Sequence, residues 1–121
     1  MPLPKKRTDL FGKRAELFAG KLLERSGYKI LQKNFHSRFG ELDIIALDGD
    51  TLVFVEVKAR TSRRFGLPEE AVTPPKLWKI KKTAEYYSAS HPNLPKKLRI
   101  DVVALEISDG EVLRSRIIKV S

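Results

Sequence analysis

The chain contains no cysteine, which excludes disulfides, thiolate catalysis and cysteine-ligated zinc, although this alone fixes no compartment. Its two histidines, His36 and His91, have no cysteine to complete a transition-metal set, so they read as ordinary loop residues and no zinc is expected. No apolar run approaches the roughly 20 residues of a membrane span, and the basic start Met1 to Arg7 is not followed by a secretory apolar core. A cytoplasmic protein without a membrane partner is therefore expected. A phosphate-cradling G-x-x-x-x-G-K-[ST] loop, a G-x-G-x-x-G turn and a serine triad are all missing, which leaves nucleoside-triphosphate, dinucleotide and acyl-transfer chemistry without support. No repeat, low-complexity segment or dividing linker is present.

What the chain does have is positive charge. Lys and Arg number 24 against 15 Asp and Glu, a formal net charge of +9 over 121 residues. Such an excess attracts polyanions: nucleic acid, an anionic surface or an acidic protein. With 41% hydrophobic residues the sequence can build the core of one ordinary domain and is too apolar for a disordered tail.

Residues 1–8, with Pro2, Pro4 and three basic residues, read as a flexible basic lead-in to a domain over residues 9–121. Phe11, Ala15, Phe18, Ala19, Leu22 and Leu23 recur at helical spacing, which predicts a helix from Thr8 or Asp9 as N-cap to Ser26, stopped by Gly27. A partly alternating stretch from Tyr28 to Phe35 follows. Leu42 to Leu47 and Leu52 to Lys58 then form a hairpin about Asp48-Gly49-Asp50-Thr51. Pro74-Pro75 opens a second helix with Leu77, Ile80, Ala84 and Tyr87 on one face, ended by His91-Pro92-Asn93-Leu94-Pro95. Leu98 to Ile107 and Val112 to Val120 are two more strands. The fold class is α/β, a central mixed β-sheet flanked by helices in the order αβββαββ.

The hairpin register puts Leu47 opposite Leu52, Ile45 opposite Phe54, Asp43 opposite Glu56 and Glu41 opposite Lys58. Side-by-side carboxylates on facing strands repel, and a divalent cation is the natural compensator. Alternation sends Phe54, Glu56 and Lys58 to one face and Val53, Val55 and Val57 to the other. Mg²⁺ or Mn²⁺, which prefers oxygen ligands and keeps several waters, suits two carboxylates, a main-chain carbonyl and a substrate phosphate. A neighbouring lysine can orient the attacking water and stabilise charge on phosphate oxygens.

Asp43 followed by Glu56-Val57-Lys58 on consecutive strands after a helix resembles the PD-(D/E)xK nuclease superfamily. That resemblance implies a restriction-endonuclease-like fold and assigns the metal pair to Asp43 and Glu56, with the Val57 main-chain carbonyl, and the lysine to Lys58. Archaeal Holliday junction resolvases of the superfamily carry an acidic residue on the first helix, which corresponds to Glu16. Gly40-Glu41-Leu42-Asp43, Val55-Glu56-Val57-Lys58-Ala59-Arg60, Phe65-Gly66 and Arg99-Ile100-Asp101-Val102-Val103 are similar to the YraN family of bacterial proteins, across nearly the whole chain. The superfamily's proline before the first aspartate is Leu42 here.

Each signal also has a plainer reading. A charged D…E-x-K string is common at strand ends, and its weight comes from register, face and flanking helices together. Glu16 reads equally as an exposed helix residue paired with Lys13 or Lys21. Glu41 opposite Lys58 makes a cross-strand ion pair or a modulator of the lysine. Asp101, within an apolar strand, reads as a charge paired with Arg99 and stands outside the site. Arg60, Arg63, Arg64, Lys76 and Lys79 are the candidates to hold phosphates, and Phe65 either stacks on a base or anchors in the core. Trp78 lies off the apolar stripe of its helix, which suits partial exposure and a partner interface. The expected function is metal-dependent phosphodiester hydrolysis, endonuclease-like, on DNA rather than RNA, with branched or repair-intermediate DNA as one substrate. Resolvase-like use implies a homodimer with two sites. The alternatives are a non-catalytic nucleic-acid-binding module of the same fold and a basic protein-interaction domain.

Overall fold

The computed structural model describes residues 3–61 and 72–120, with side chains from residue 12 onward. The elements are α1 (Leu3–Arg25), β1 (Lys29–Ser37), β2 (Gly40–Asp48), β3 (Thr51–Arg60), α2 (Pro74–Ser90), β4 (Lys97–Ser108) and β5 (Glu111–Lys119). This is the αβββαββ order that the sequence pattern predicts.

α1 begins earlier than expected. Pro4 falls in its first turn, where no intrahelical N–H is required, so the helix runs from Leu3 and residues 3–8 belong to it instead of forming a separate lead-in capped at Thr8 or Asp9. Its end matches the reading. Tyr28 N donates to Leu23 O at 3.0 Å and Gly27 N to Glu24 O at 3.1 Å, with Gly27 at φ 94°, a left-handed turn that costs glycine least. α2 starts on Thr73, whose hydroxyl accepts from Lys76 N at 3.4 Å, with proline in its first turn.

The strands form one five-stranded sheet in the order β1-β2-β3-β4-β5. Hairpin connections make β1-β2-β3 and β4-β5 antiparallel, and the α2 crossover makes β3 and β4 parallel. The sheet separates two cores. On one face Ala15, Ala19 and Leu23 of α1 pack on Ile44, Ala46, Val53, Val55, Val103 and Leu105. On the other, Ile80, Ala84 and Tyr87 of α2 pack on Ile45, Leu52, Phe54 and Ile100. Tyr87 meets Phe35 and Phe54 edge-on at 5.0 and 6.0 Å, which locks α2 to the sheet, and truncating the fully buried Phe54 to alanine would cost about 3–5 kcal/mol. Phe18, expected on the buried stripe of α1, is 37% exposed instead, because the contact face narrows to Ala15, Ala19 and Leu23.

Close approach of α1 to the sheet depends on Gly20. A Cβ there would lie 3.1 Å from Lys33 Nζ and 3.3 Å from Ile30 Cδ1, so β1 sits nearly against the helix backbone. One turn earlier, Glu16 is carried to the same edge of the sheet.

Candidate active site

β2 and β3 pair in the predicted register from Asp48↔Thr51 through Ile44↔Val55, and there the ladder ends although both strands continue. The next step is where the sequence puts Asp43 beside Glu56. Main-chain pairing is replaced by a side chain: Val57 N–H donates to Asp43 Oδ2 at 2.7 Å. The N–H and C=O of one strand residue point to the same side, so the Val57 carbonyl faces this opening too. Leu42 packs in the α2 core and Ile44 in the α1 core, whereas plain alternation would place them together. The irregularity at Asp43 is what turns its carboxylate into the gap.

A cleft of about 840 Å³ opens at this point between α1 and the ends of β1, β2 and β3, and Glu16, Lys33, Asn34, Glu41, Asp43, Val57, Lys58 and Arg60 line it. Glu56 lies just behind the cleft wall. Only 6% exposed, it is hydrogen-bonded to Asp43 and faces Lys76 of α2, with Nζ 3.6 Å from Oε2. Burial, then the Asp43 charge, push the Glu56 carboxyl up to about 7 against the opposing pull of Lys76 and Lys58. Glu16 is also shifted up, first by burial and then by Asp43, while Lys33 and a hydrogen bond from Asn34 hold it down. Inside the same cleft the Nε of Arg60 is buried with no acceptor among the described residues.

The structure thus draws Asp43, Glu56, Lys58, Glu16 and Arg60 to one end of the β2–β3 gap. It does not gather three acidic side chains tightly: among the described residues no group of three His, Cys, Asp or Glu is close enough to hold a metal unaided. Lys76, expected at a phosphate, is engaged by Glu56, and Lys79 is exposed on α2. Arg63, Arg64 and Phe65 lie outside the described residues. Glu41 does not pair across to Lys58. It faces His36 on β1, with His36 Nδ1 3.1 Å from its Oε2, and His36 is accordingly a strand residue rather than a loop one. His91 caps α2 and stacks on Tyr87 with ring centroids 3.9 Å apart.

Two cleft residues escaped the sequence reading. Lys33 and Asn34 supply Glu16 with its charge partner and its hydrogen bond, and Asn34 adopts φ 55°. The available signal was an asparagine inside a strand, where that residue is depleted and where it tolerates a left-handed backbone.

A family model described as "Uncharacterised protein family UPF0102" matches residues 15–105. This chain belongs to the uncharacterised protein family UPF0102, the YraN family. A UPF0102 protein of Syntrophomonas wolfei subsp. wolfei is 49% identical over 96 residues, which are 79% of this chain and 84% of that one. A UPF0102 protein of Caldicellulosiruptor bescii is 50% identical over 101 residues, 83% of this chain and 84% of its own. One from Symbiobacterium thermophilum is 44% identical over 108 residues, 89% and 92% of the two chains. The UPF0102 match takes in Glu16, Asp43, Glu56, Lys58 and Arg60 and stops before β5. The mixed sheet with a helix on each face fits the restriction-endonuclease-like architecture of this nuclease-like group. Among the described residues no helix is long and apolar enough to cross a membrane.

Proposed function

We propose that this protein hydrolyses phosphodiester bonds of nucleic acid, preferentially DNA, with Mg²⁺ or Mn²⁺ held by Asp43, Glu56 and the Val57 carbonyl. The observation that carries the reading is the carboxylate pair set where β2 and β3 part, with one direct cationic contact among the described residues. Glu56 is buried against Asp43, and among the described residues its nearest cation, Lys76, stands at 3.6 Å. The donor set fits such an ion. All the oxygens are hard, and two carboxylates leave room for the waters and substrate phosphate that Mg²⁺ usually retains. An ion bound there supplies Lewis-acid polarisation of the phosphate and a more acidic water.

The chain's own groups divide the remaining work. Lys58, on the cleft wall beside Asp43, orients the attacking water and offsets charge developing on the phosphate. Arg60, with its orphaned Nε, offers a charge-assisted hydrogen bond to a phosphate oxygen. Glu16 holds a water at the rim through its link to Asn34, with its raised pKa available for proton exchange.

The test is cleavage of labelled single-stranded, duplex, flapped and four-way-junction DNA, and of RNA, in Mg²⁺ or Mn²⁺, beside Asp43→Ala and Lys58→Ala. Cleavage should fall by at least about a hundredfold in both variants with binding retained. Equal cleavage by the variants, or none by any of the three proteins, would contradict the reading.

A further inference from the structure

A second surface lies on the outer flank of α2, on the side of the helix away from the Lys76–Glu56 contact. Trp78, Lys82 and Tyr86 stand there at i, i+4 spacing, each step displaced by about 40°. Trp78 is 58% exposed and Tyr86 48% exposed, far more than a core role requires. Each ring has a cation nearby: Lys82 Nζ lies 5.6 Å from the Trp78 centroid, and Arg38 lies 5.0 Å from the Phe39 ring, which packs on Tyr86 at 6.0 Å.

Phe39 and Arg38 reach α2 for a definite reason. They are the tip of the β1–β2 hairpin, closed by Ser37 opposite Gly40 and by Phe39 N donating to Ser37 Oγ at 3.1 Å. Gly40 comes close to Thr83, so the tip is laid beside the flank of the helix that carries Tyr86. Two elements distant in sequence thus contribute alternating aromatic and basic side chains to one strip. Lys82 also approaches Glu85 at 3.7 Å, an exposed pair that binds it weakly.

We propose that this strip is a stacking platform for unpaired nucleotides, which holds a single-stranded segment of the nucleic acid that the Asp43–Glu56 site would cut. The inference rests on the hydrolase reading above and deepens it by naming the form of the substrate. Exposed aromatic rings with cations between them are what single-strand binding requires: bases stack on the rings, and ammonium and guanidinium groups follow the phosphates. A duplex keeps its base faces hidden and would gain only the charge contacts. From Trp78 to Tyr86 the helix advances about 12 Å. That spans roughly four nucleotides at about 3.4 Å per stacked step.

Trp78 is the chain's single tryptophan, so its emission reports on the platform directly. The full chain, without metal, is titrated with oligo(dT), with the corresponding duplex and with inorganic polyphosphate. Labelled-oligonucleotide anisotropy is measured in parallel for Trp78→Ala, Tyr86→Ala, Trp78→Phe and Asp43→Ala. The single strand should quench Trp78, while duplex and polyphosphate should not. Trp78→Ala and Tyr86→Ala should each weaken single-strand binding by roughly tenfold and leave duplex binding unchanged, with Trp78→Phe close to the parent. Both residues are exposed, and unchanged thermal melts would show that the variants fold. Equal quenching by duplex or polyphosphate, or full single-strand affinity in both alanine variants, would overturn the platform. Asp43→Ala separates the two proposals, since it should keep oligo(dT) binding and quenching whatever it does to cleavage. A platform that responds in a protein unable to cut any substrate would leave this inference standing and remove the hydrolase.

Discussion

Two acidic clusters flank β3, and they are neutralised very differently. On the β4 side, Asp101 is fully buried yet fully served. Tyr28 donates to it at 2.6 Å, and Arg99 reaches it through Nε at 2.8 Å and NH2 at 3.0 Å while also holding Asp48 at 2.7 Å. On the β2 side, at the next residue along β3, Asp43 accepts one main-chain N–H, and among the described residues Glu56 has one lysine within ion-pair distance, at 3.6 Å. The same sheet therefore contains both a closed polar network and an open one. Among the described residues the Asp43–Glu56 pair has fewer direct cationic contacts than Asp101, which is what the proposed metal site requires.

The contrast can be broken most severely at Arg99. Arg99→Ala strands Asp101 in the interior beside Asp48, and should cost about 3–5 kcal/mol in urea unfolding. Glu56→Gln should act in the opposite direction. The folded protein keeps the Glu56 proton up to a pH of about 7, whereas the unfolded chain gives it up near the ordinary value of 4.5. The folded state therefore binds more protons across that window, and its stability falls as pH rises through it, by roughly 3 kcal/mol for this group. The Gln variant should be more stable than the parent by up to roughly that amount at alkaline pH, with the advantage gone below the lower value. Equal pH profiles for the two proteins would show that the second cluster carries no such load.

Smaller changes sharpen the comparison. Tyr28→Phe removes one donor from Asp101 and should cost about 1–3 kcal/mol, read from the same unfolding curves. The tyrosine is itself held protonated, first by burial and then by its bond to Asp101, so its ultraviolet titration should begin only well above the usual tyrosine range. Thr73→Ala loosens the start of α2, and hence the placement of Lys76, for about 1 kcal/mol. The same substitution should raise the pH at which Glu56 titrates, since Lys76 is the nearest cation opposing its protonation.

Much of this was legible in the residues because local chemistry set it. The Asp48–Thr51 turn pins the hairpin register, and alternation along Val53 to Val57 assigns the faces of Val53, Phe54, Val55 and Val57 correctly. The parting of the strands at Asp43 was not legible. Leu42, Ile44 and Ile45 are all apolar on a strand buried on both faces, so alternation cannot reveal the irregularity between them. Glu41 was matched to Lys58 by extending the register past that point, and its true neighbour His36 belongs to a strand whose pairing the sequence left open. Arg99 was a readable neighbour for Asp101, being two residues away on the same face, but Tyr28 and Asp48 reach that cluster only through the tertiary fold. The aromatic strip of α2 escaped for the same reason, since Phe39 joins Tyr86 from a different element, the β1–β2 turn, far away in sequence.

Binding of Mn²⁺, followed by the loss of its free paramagnetic resonance signal as protein is added, tests the central contrast most directly when the parent is compared with Asp43→Asn and with Asp101→Asn refolded to the same helix content. The account predicts that the parent and the Asp101 variant take up the ion and the Asp43 variant does not. Equal uptake by the parent and Asp43→Asn, or none by the parent, would contradict it.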